Sequence, residues 1–309
     1  MTILVTGGAG FIGSHIVDLY IENGHDVVVI DNLTSGSIEN VHTKAKFYEL
    51  DLYSDKLDRV FAKHKIEVIN HHAAQIDLRK SIDSPVFDAR INIEASIKLF
   101  QCGVSNGIKR IIFASSGGAV YGEQTEFPAK EKHITNPLSP YGVSKLSVEK
   151  YVAFYNSFYG INYSILRYAN VYGPRQSLLG EAGVVAVFCK RILAGKQPKI
   201  YGDGTNTRDF VYAGDVAEAN LKVLKCKSPV CANISTGVET NVNEIFTKIN
   251  ANLGNRFKEM HEKEIPGEQK RSVLDFGKAK KEFGWSPRHN IDEGLKKTCD
   301  WFRSREQKN

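Results

Sequence analysis

The chain has 309 residues, 42% of them hydrophobic and 25% charged, with a formal net charge of +6. That balance supports one large core, or two lobes sharing an interface, and excludes a largely disordered chain. The charge suits an anionic ligand, while no dense Lys/Arg block or zinc-finger spacing points to nucleic acid, and no apolar run is long enough to span a bilayer. Cys102, Cys189, Cys226, Cys231 and Cys299 are scattered with no C-x-x-C pair. They read as reduced thiols in a cytoplasmic protein, not as a disulfide framework or a zinc site. A strand candidate at Thr2 to Thr6 leaves no place for a signal peptide.

The first half alternates β-branched runs with amphipathic stretches. Strands are expected at Ile3 to Val5, Asp26 to Ile30, Phe47 to Leu50, Ile66 to Asn70 and Arg110 to Ala114. Helices are expected at Phe11 to Asn23, Leu57 to Lys63 and Pro85 to Gly103. The run Val27-Val28-Val29-Ile30 is apolar without alternation, as a parallel strand buried on both faces must be. The βαβα order predicts an α/β fold, a doubly wound, Rossmann-like parallel sheet. After Arg167 the pattern loosens, with short strands at Lys199 to Tyr201 and Phe210 to Tyr212 and helices at Val184 to Ala194 and Val216 to Leu224. This divides the chain into a large domain, 1–168, and a smaller substrate-binding lobe, 169–309, with some chain crossing back.

Thr6-Gly7-Gly8-Ala9-Gly10-Phe11-Ile12-Gly13 follows the first strand and opens the first helix. Glycines at that spacing let backbone approach a pyrophosphate seated on the positive end of the helix. Asp31 ends the second strand where a carboxylate can accept a ribose 2′-hydroxyl and repel a 2′-phosphate, and Asn32 and Leu33 add no arginine. NAD is therefore expected over NADP. Asp51-Leu52, after the third strand, could frame the adenine.

Ser139-Pro140 resembles an N-cap with proline in the first turn, so a helix should begin there. Tyr141 and Lys145 then share one helix face. A tyrosine of ordinary pKa, about 10, is a poor base at neutral pH, and a neighbouring ammonium favours its phenolate. The pair could take a proton from an alcohol as a hydride leaves the same carbon. Ser115 and Ser116 end the Ile111 to Ser116 run at the carboxyl edge of the sheet, where Ser116 could hydrogen-bond the reacting oxygen. His71 and His72 alternate at a strand end and lack a third ligand, so they read as structural and no metal is expected.

Taken with Leu166-Arg167-Tyr168-Ala169-Asn170-Val171-Tyr172-Gly173-Pro174-Arg175, these motifs resemble the extended short-chain dehydrogenase/reductase superfamily. Over nearly the whole length the chain is similar to its UDP-glucose 4-epimerase family. The resemblance implies a tightly held NAD, a UDP-sugar substrate, a homodimer, and reversible oxidation at C4 to a 4-keto sugar. It implies cofactor contacts at Gly7, Gly10, Phe11, Ile12, Gly13, Asp31, Asn32, Asp51, Leu52, Ala73, Ala74, Asn92, Ser115, Tyr141, Lys145 and Tyr168. Substrate contacts are implied at Ser116, Tyr141, Asn170, Tyr201 and Arg208, with Tyr141, Lys145 and Ser116 catalytic.

Two departures from the family stand out. Gly117-Gly118-Ala119-Val120-Tyr121 is one residue longer than usual, which leaves Ser115 and Ser116 both open as the catalytic serine. Ile265 stands where the family usually has an arginine. Seven residues further, Ser272 occupies a position where a large aromatic restricts the family to unsubstituted hexoses and a small residue admits N-acetyl groups. Related sugar dehydratases carry acidic residues just after the serine, where this chain has Gly117, Gly118 and Ala119. A UDP-glucuronate 4-epimerase, a dehydratase and a non-catalytic NAD-binding regulator are the alternatives. Finally, Pro85 to Gly103 (Val86, Phe87, Ile91, Ile93, Ile97, Leu99, Phe100) and Pro140 to Tyr159 (Val143, Leu146, Tyr151, Val152, Phe154, Tyr155, Phe158) are apolar around most of their circumference. A second covered face on each helix predicts a helix-bundle dimer.

Overall fold

Strand β1 (Thr2–Thr6) is flanked by β2 (Asp26–Asp31) and β4 (Val68–His71), with β3 (Lys46–Glu49) outside β2. On the other side β5 (Arg110–Ser116) and β6 (Asn162–Tyr168) follow β4, and Val230–Ile234 closes that edge. All seven strands are parallel. The computed structural model describes residues 1–177, 183–264 and 269–306.

The sheet has a core on each face. Ile3, Val5, Val27 and Val29 pack on one side with Ile16, Val17 and Tyr20 of helix Phe11–Glu22. Leu4, Val28 and Ile30 pack on the other with Leu99, Phe100, Val148 and Val152. Successive residues of one strand thus serve opposite layers, which is why the unbroken apolar run marked a buried parallel strand. Burial of each such side chain stabilises the fold by about 1.5–3 kcal/mol.

Several elements differ from the sequence reading in ways that bear on the site. The expected helix Pro85 to Gly103 is three segments: Pro85–Ala89, a π-helical turn Arg90–Glu94, and Ala95–Ser105. The wide turn carries Asn92 inward, where it is buried; such turns recur at functional sites. β5 extends beyond the expected Ala114 to Ser116, pairing Ser115 with Arg167 and Ser116 with Tyr168 of β6. Past residue 168, strand Val230–Ile234 forms the edge of the large sheet and helix Ala213–Val223 packs on its face, the crossing back expected of the chain. Asn220 of that helix accepts from Asn70 and donates to Tyr168.

Helix Pro140–Tyr159 begins as expected, with Ser139 Oγ accepting from the Gly142 N–H at 3.1 Å and Pro140 in its first turn. It ends at Gly160, whose left-handed conformation (φ 71°) suits glycine. The small lobe has its own core, in which Phe188, Ile192, Ile245, Phe246 and Leu295 join helices Val184–Leu193, Val242–Asn252 and Ile291–Glu306. Its sheet centres on Thr207–Tyr212, paired with Asn170–Tyr172, Glu239–Asn241 and Arg271–Ser272. No helix among the described residues is long and apolar enough to cross a membrane.

A buried ion pair ties the catalytic-helix candidate to the sheet. Arg167 of β6 makes a two-pronged contact with Glu149, Nε to Oε1 at 2.9 Å and Nη2 to Oε2 at 2.6 Å. Burial opposes the guanidinium charge, but the Glu149 bond and its carboxylate outweigh that, so the Arg167 pKa is raised. Replacing Glu149 by Ala leaves this cation buried and unpaired, and should destabilise the protein by about 3–5 kcal/mol. Denaturant unfolding reads this directly; a loss below about 1 kcal/mol would show that the pair anchors nothing.

Candidate active site

The strand order reverses between β1 and β4, and a crevice opens at their carboxyl ends. Gly7 leaves β1 with φ 69°, and a Cβ there would stand 2.7 Å from the Ala73 nitrogen. A Cβ on Gly13 would collide with the Gly7 carbonyl. Both positions therefore require glycine, and the bare backbone they leave is a cradle at the start of helix Phe11–Glu22.

That cradle is the floor of a cleft of about 470 Å³. Gly7, Gly10, Phe11, Ile12, Gly13, Asp31, Asn32, Asp51, Leu52, Ala73, Ala74, Ser115, Tyr141, Lys145 and Tyr168 all line it. Asp31 does two things there. Its carboxylate accepts from the Ala9 N–H at 3.0 Å and the Leu33 N–H at 2.9 Å, which ties the glycine loop to the end of β2. Burial pushes its pKa up, against the pull of those backbone bonds. Asn32 donates to Asp51 at 3.0 Å, joining the ends of β2 and β3. The lining also includes Gln75, Ile76, Asp77 and Lys80, which sequence reasoning missed because nothing in their spacing marks them.

Asn92 lies behind this wall and does not line it. Its Oδ1 accepts from the Gln75 N–H and its Nδ2 donates to the Gln75 carbonyl, both at 2.9 Å, so it clamps the loop after β4 from the rear. His71 is held between Thr6 and Ser96, and His72 bonds the Tyr168 hydroxyl at 2.9 Å. Burial holds His72 down to about 3 and His71 well below its usual value, so both are neutral. The described residues contain no group of three or more metal-ligand side chains.

Tyr141 and Lys145 meet the cleft from helix Pro140–Tyr159. Lys145 is buried; its Nζ donates to the Ala114 carbonyl at 2.9 Å and lies 5.0 Å and 5.7 Å from the Phe113 and Tyr141 ring centres. Burial depresses the Lys145 pKa to about 8, with Asp88 acting in the opposite direction. The ammonium thus sits beside the tyrosine ring on the sheet edge, as the four-residue spacing requires.

The two serines separate by partner. Ser115 is buried and donates its hydroxyl to Glu149 at 2.6 Å. Ser116 is half-buried at the end of β5, and the open space over Gly118 is flanked by Ser116 Oγ and Asn170 Oδ1. The Ser115 hydroxyl is thus committed to Glu149 although Ser115 lines the cleft, while Ser116 Oγ faces the space over Gly118.

The remaining substrate candidates lie on the small lobe, outside that cleft. Arg208 pairs in register with Ser272 and neighbours the strand position of Asn170 through the same central strand. Arg208 donates to the Thr207 carbonyl at 2.8 Å. Tyr201 is half-exposed on a two-residue strand beside His261–Glu262. Ser272 is 3% exposed, with Gln124 Nε2 3.5 Å from its hydroxyl. Gln124, which the sequence did not single out, is itself buried and anchored on the Val273 N–H at 3.0 Å. Ile265 lies outside the described residues.

A family profile described as the NAD dependent epimerase/dehydratase family matches residues 3–234. The chain is 40% identical to a UDP-glucose 4-epimerase of Mycolicibacterium smegmatis, over 99% of this chain and 100% of that one. In structure it is similar to the UDP-glucose 4-epimerase of Thermotoga maritima solved with UDP-glucose, with a TM-score of 0.96 and 45% identity over 99% and 100% of the two chains. It is also similar to a UDP-N-acetylglucosamine 4-epimerase of Methanobrevibacter ruminantium solved with UDP-N-acetylmuramic acid, with a TM-score of 0.92 and 36% identity over 98% of each chain. By profile, sequence and structure alike, the chain belongs to the NAD dependent epimerase/dehydratase family, within the group that contains the UDP-glucose 4-epimerases.

Proposed function

We propose that this protein is an NAD-dependent isomerase that inverts C4 of a UDP-hexose, interconverting UDP-glucose and UDP-galactose and accepting the UDP-N-acetylhexosamines. One observation carries the reading: Tyr141 and the buried Lys145 share one cleft with the glycine cradle and Asp31. The cradle at Gly7, Gly10 and Gly13 fits the diphosphate of NAD, and Asp31 fits its adenosine ribose. When bound, NAD supplies the hydride acceptor and donor for the sugar carbon.

The chain's own groups handle the proton. The Lys145 ammonium favours the Tyr141 phenolate, which takes the proton of the sugar hydroxyl and later returns it. Ser116 holds the same oxygen from the end of β5. The backbone beyond it, Gly117, Gly118 and Ala119, has no ionisable side chain, so a second acid/base step such as loss of water has no agent there. Arg208 and Asn170 bind the substrate diphosphate, and Tyr201 lies against its base. Five reduced thiols fit a cytoplasmic enzyme.

The exposed aromatic face favours a homodimer. Phe154 and Phe158 stack on each other, with ring centres 5.6 Å apart, and are 48% and 69% exposed. Val86, Val143, Tyr151 and Tyr159 extend that exposed apolar surface. An exposed apolar surface of this kind favours a protein contact, which we assign to a second copy. Phe154→Asp combined with Phe158→Lys should convert a dimer at micromolar concentration to a monomer by light scattering; a wild-type monomer would overturn the assignment.

The acceptance of N-acetylated sugars rests on Ser272 and on the similarity to the Methanobrevibacter enzyme. A tyrosine in place of Ser272 would need the space now shared with Gln124 and would exclude an acetamido group by clash. Ser272→Tyr should therefore lose turnover of UDP-N-acetylglucosamine while retaining that of UDP-glucose. If both substrates fall equally, Ser272 is not the gate. For the chemical step, Tyr141→Phe should retain NAD and the fold while turnover drops about 100- to 10,000-fold. Turnover within a few-fold of wild type would remove Tyr141 from the mechanism.

A further inference from the structure

Asp88 is completely buried on the short helix Pro85–Ala89, yet it touches neither the cleft nor a cation directly through a salt bridge. Its carboxylate is nonetheless fully engaged. Oδ2 accepts from the Ser144 hydroxyl at 2.7 Å, and Oδ1 accepts from Asn92 Nδ2 at 2.9 Å and Gln75 Nε2 at 3.1 Å. The partners come from three different elements around the site. Ser144 immediately precedes Lys145 on the catalytic helix, and Gln75 lies in the loop that lines the cofactor cleft. Asn92 clamps that loop through both of its amide atoms.

An isolated carboxylate without exposure is costly, and three neutral donors could have been satisfied by a neutral amide or carbonyl. A charge at this position has a use only if another charge nearby needs it. Lys145 is that charge. The groups facing it are the Ala114 carbonyl and Phe113 ring from β5, Tyr141 from its own helix, His71 and His72 from the end of β4, and Asp88. Burial keeps both histidines neutral, and Glu149, one turn along the helix, is committed to Arg167.

We propose that Asp88 is a positioning residue for the reaction: its carboxylate joins the cofactor loop to the catalytic helix and is the counter-charge that keeps the Lys145 ammonium in place. This rests on the reading of Tyr141 and Lys145 as the proton-handling pair. Burial works to strip the Lys145 proton, and Asp88 works to keep it. Removing the negative charge must lower the pH at which the ammonium is lost.

Asp88→Asn is the direct test, because the amide can keep acceptors for Asn92 and Gln75 and donate to a reoriented Ser144 hydroxyl while the charge is gone. Turnover of UDP-glucose is measured against pH in the NAD-loaded enzyme, beside Ser144→Ala and Tyr141→Phe. The alkaline limb of kcat should move about one pH unit toward acid in Asp88→Asn, with turnover near wild type on its acid side and KM within about three-fold. Ser144→Ala keeps the charge, so its alkaline limb should stay where the wild type has it. Uniformly reduced turnover with an unmoved limb in Asp88→Asn would make Asp88 a packing residue and overturn the inference. If Asp88→Asn does not fold, the limb is read from Asp88→Glu, which keeps the charge and should leave it unmoved; a shifted limb there would likewise overturn the inference. A fully active Tyr141→Phe would instead overturn the catalytic reading itself, so the two failures are distinct.

Discussion

The structure is organised around one expensive object, a lysine ammonium held out of water. Lys145 has its carbonyl acceptor on Ala114, two aromatic faces beside it and a buried carboxylate within electrostatic reach. Desolvation disfavours such a charge, and the only compensation available in a dry interior comes from fixed dipoles and opposite charge. The same desolvation makes it useful. A cation that is not screened by solvent acts strongly on a phenol one helical turn away.

Holding that cation requires a helix that cannot shift, and helix Pro140–Tyr159 is fastened on two sides by carboxylates. Its own Glu149 reaches Arg167 and Ser115 at the sheet edge, while Ser144 reaches Asp88 on a neighbouring helix. A serine cap fixes its start and a left-handed glycine its end. Removing water from Glu149 and Arg167 and pairing their polar atoms are here a single requirement. Half-satisfied networks are worse than an apolar core, which explains why Ser115, Tyr121 and Asn233 are all drawn into the Glu149–Arg167 cluster.

The sheet topology decides what this helix faces. Because strand order reverses at β1 and β4, the glycine loop and the loop after β4 open toward the same crevice that receives Tyr141 and Lys145. Arg208, Ser272 and Asn170 lie on neighbouring strands of the small lobe, which is built on a separate sheet with a separate core. The glycine cradle and the small lobe therefore belong to different sheets of the fold.

Much of the cradle was legible in the residues because steric necessity is local. Gly7 and Gly13 must be glycine where backbone meets backbone, and a proline after a capping serine starts a helix in any surroundings. The Tyr141/Lys145 spacing and the unbroken Val27–Ile30 run are likewise local signals of helix face and buried parallel strand. What remained illegible depends on contacts between residues distant in the chain. Nothing near Ser115 or Ser116 says which hydroxyl is spent on Glu149, thirty-odd positions away. Asn92, expected at the cofactor, became a clamp behind the loop because a π-helical turn aims it at Gln75. Asp88 and Gln124 carried no sequence signal at all, since a buried polar side chain is defined by its partners, and those partners are assembled only when the sheet, helix Pro140–Tyr159 and the small lobe come together. The sequence determined the local geometry and the chemistry available; the tertiary structure decided which of those groups are desolvated, paired or free to act, because burial and charge pairing are properties of the assembled fold.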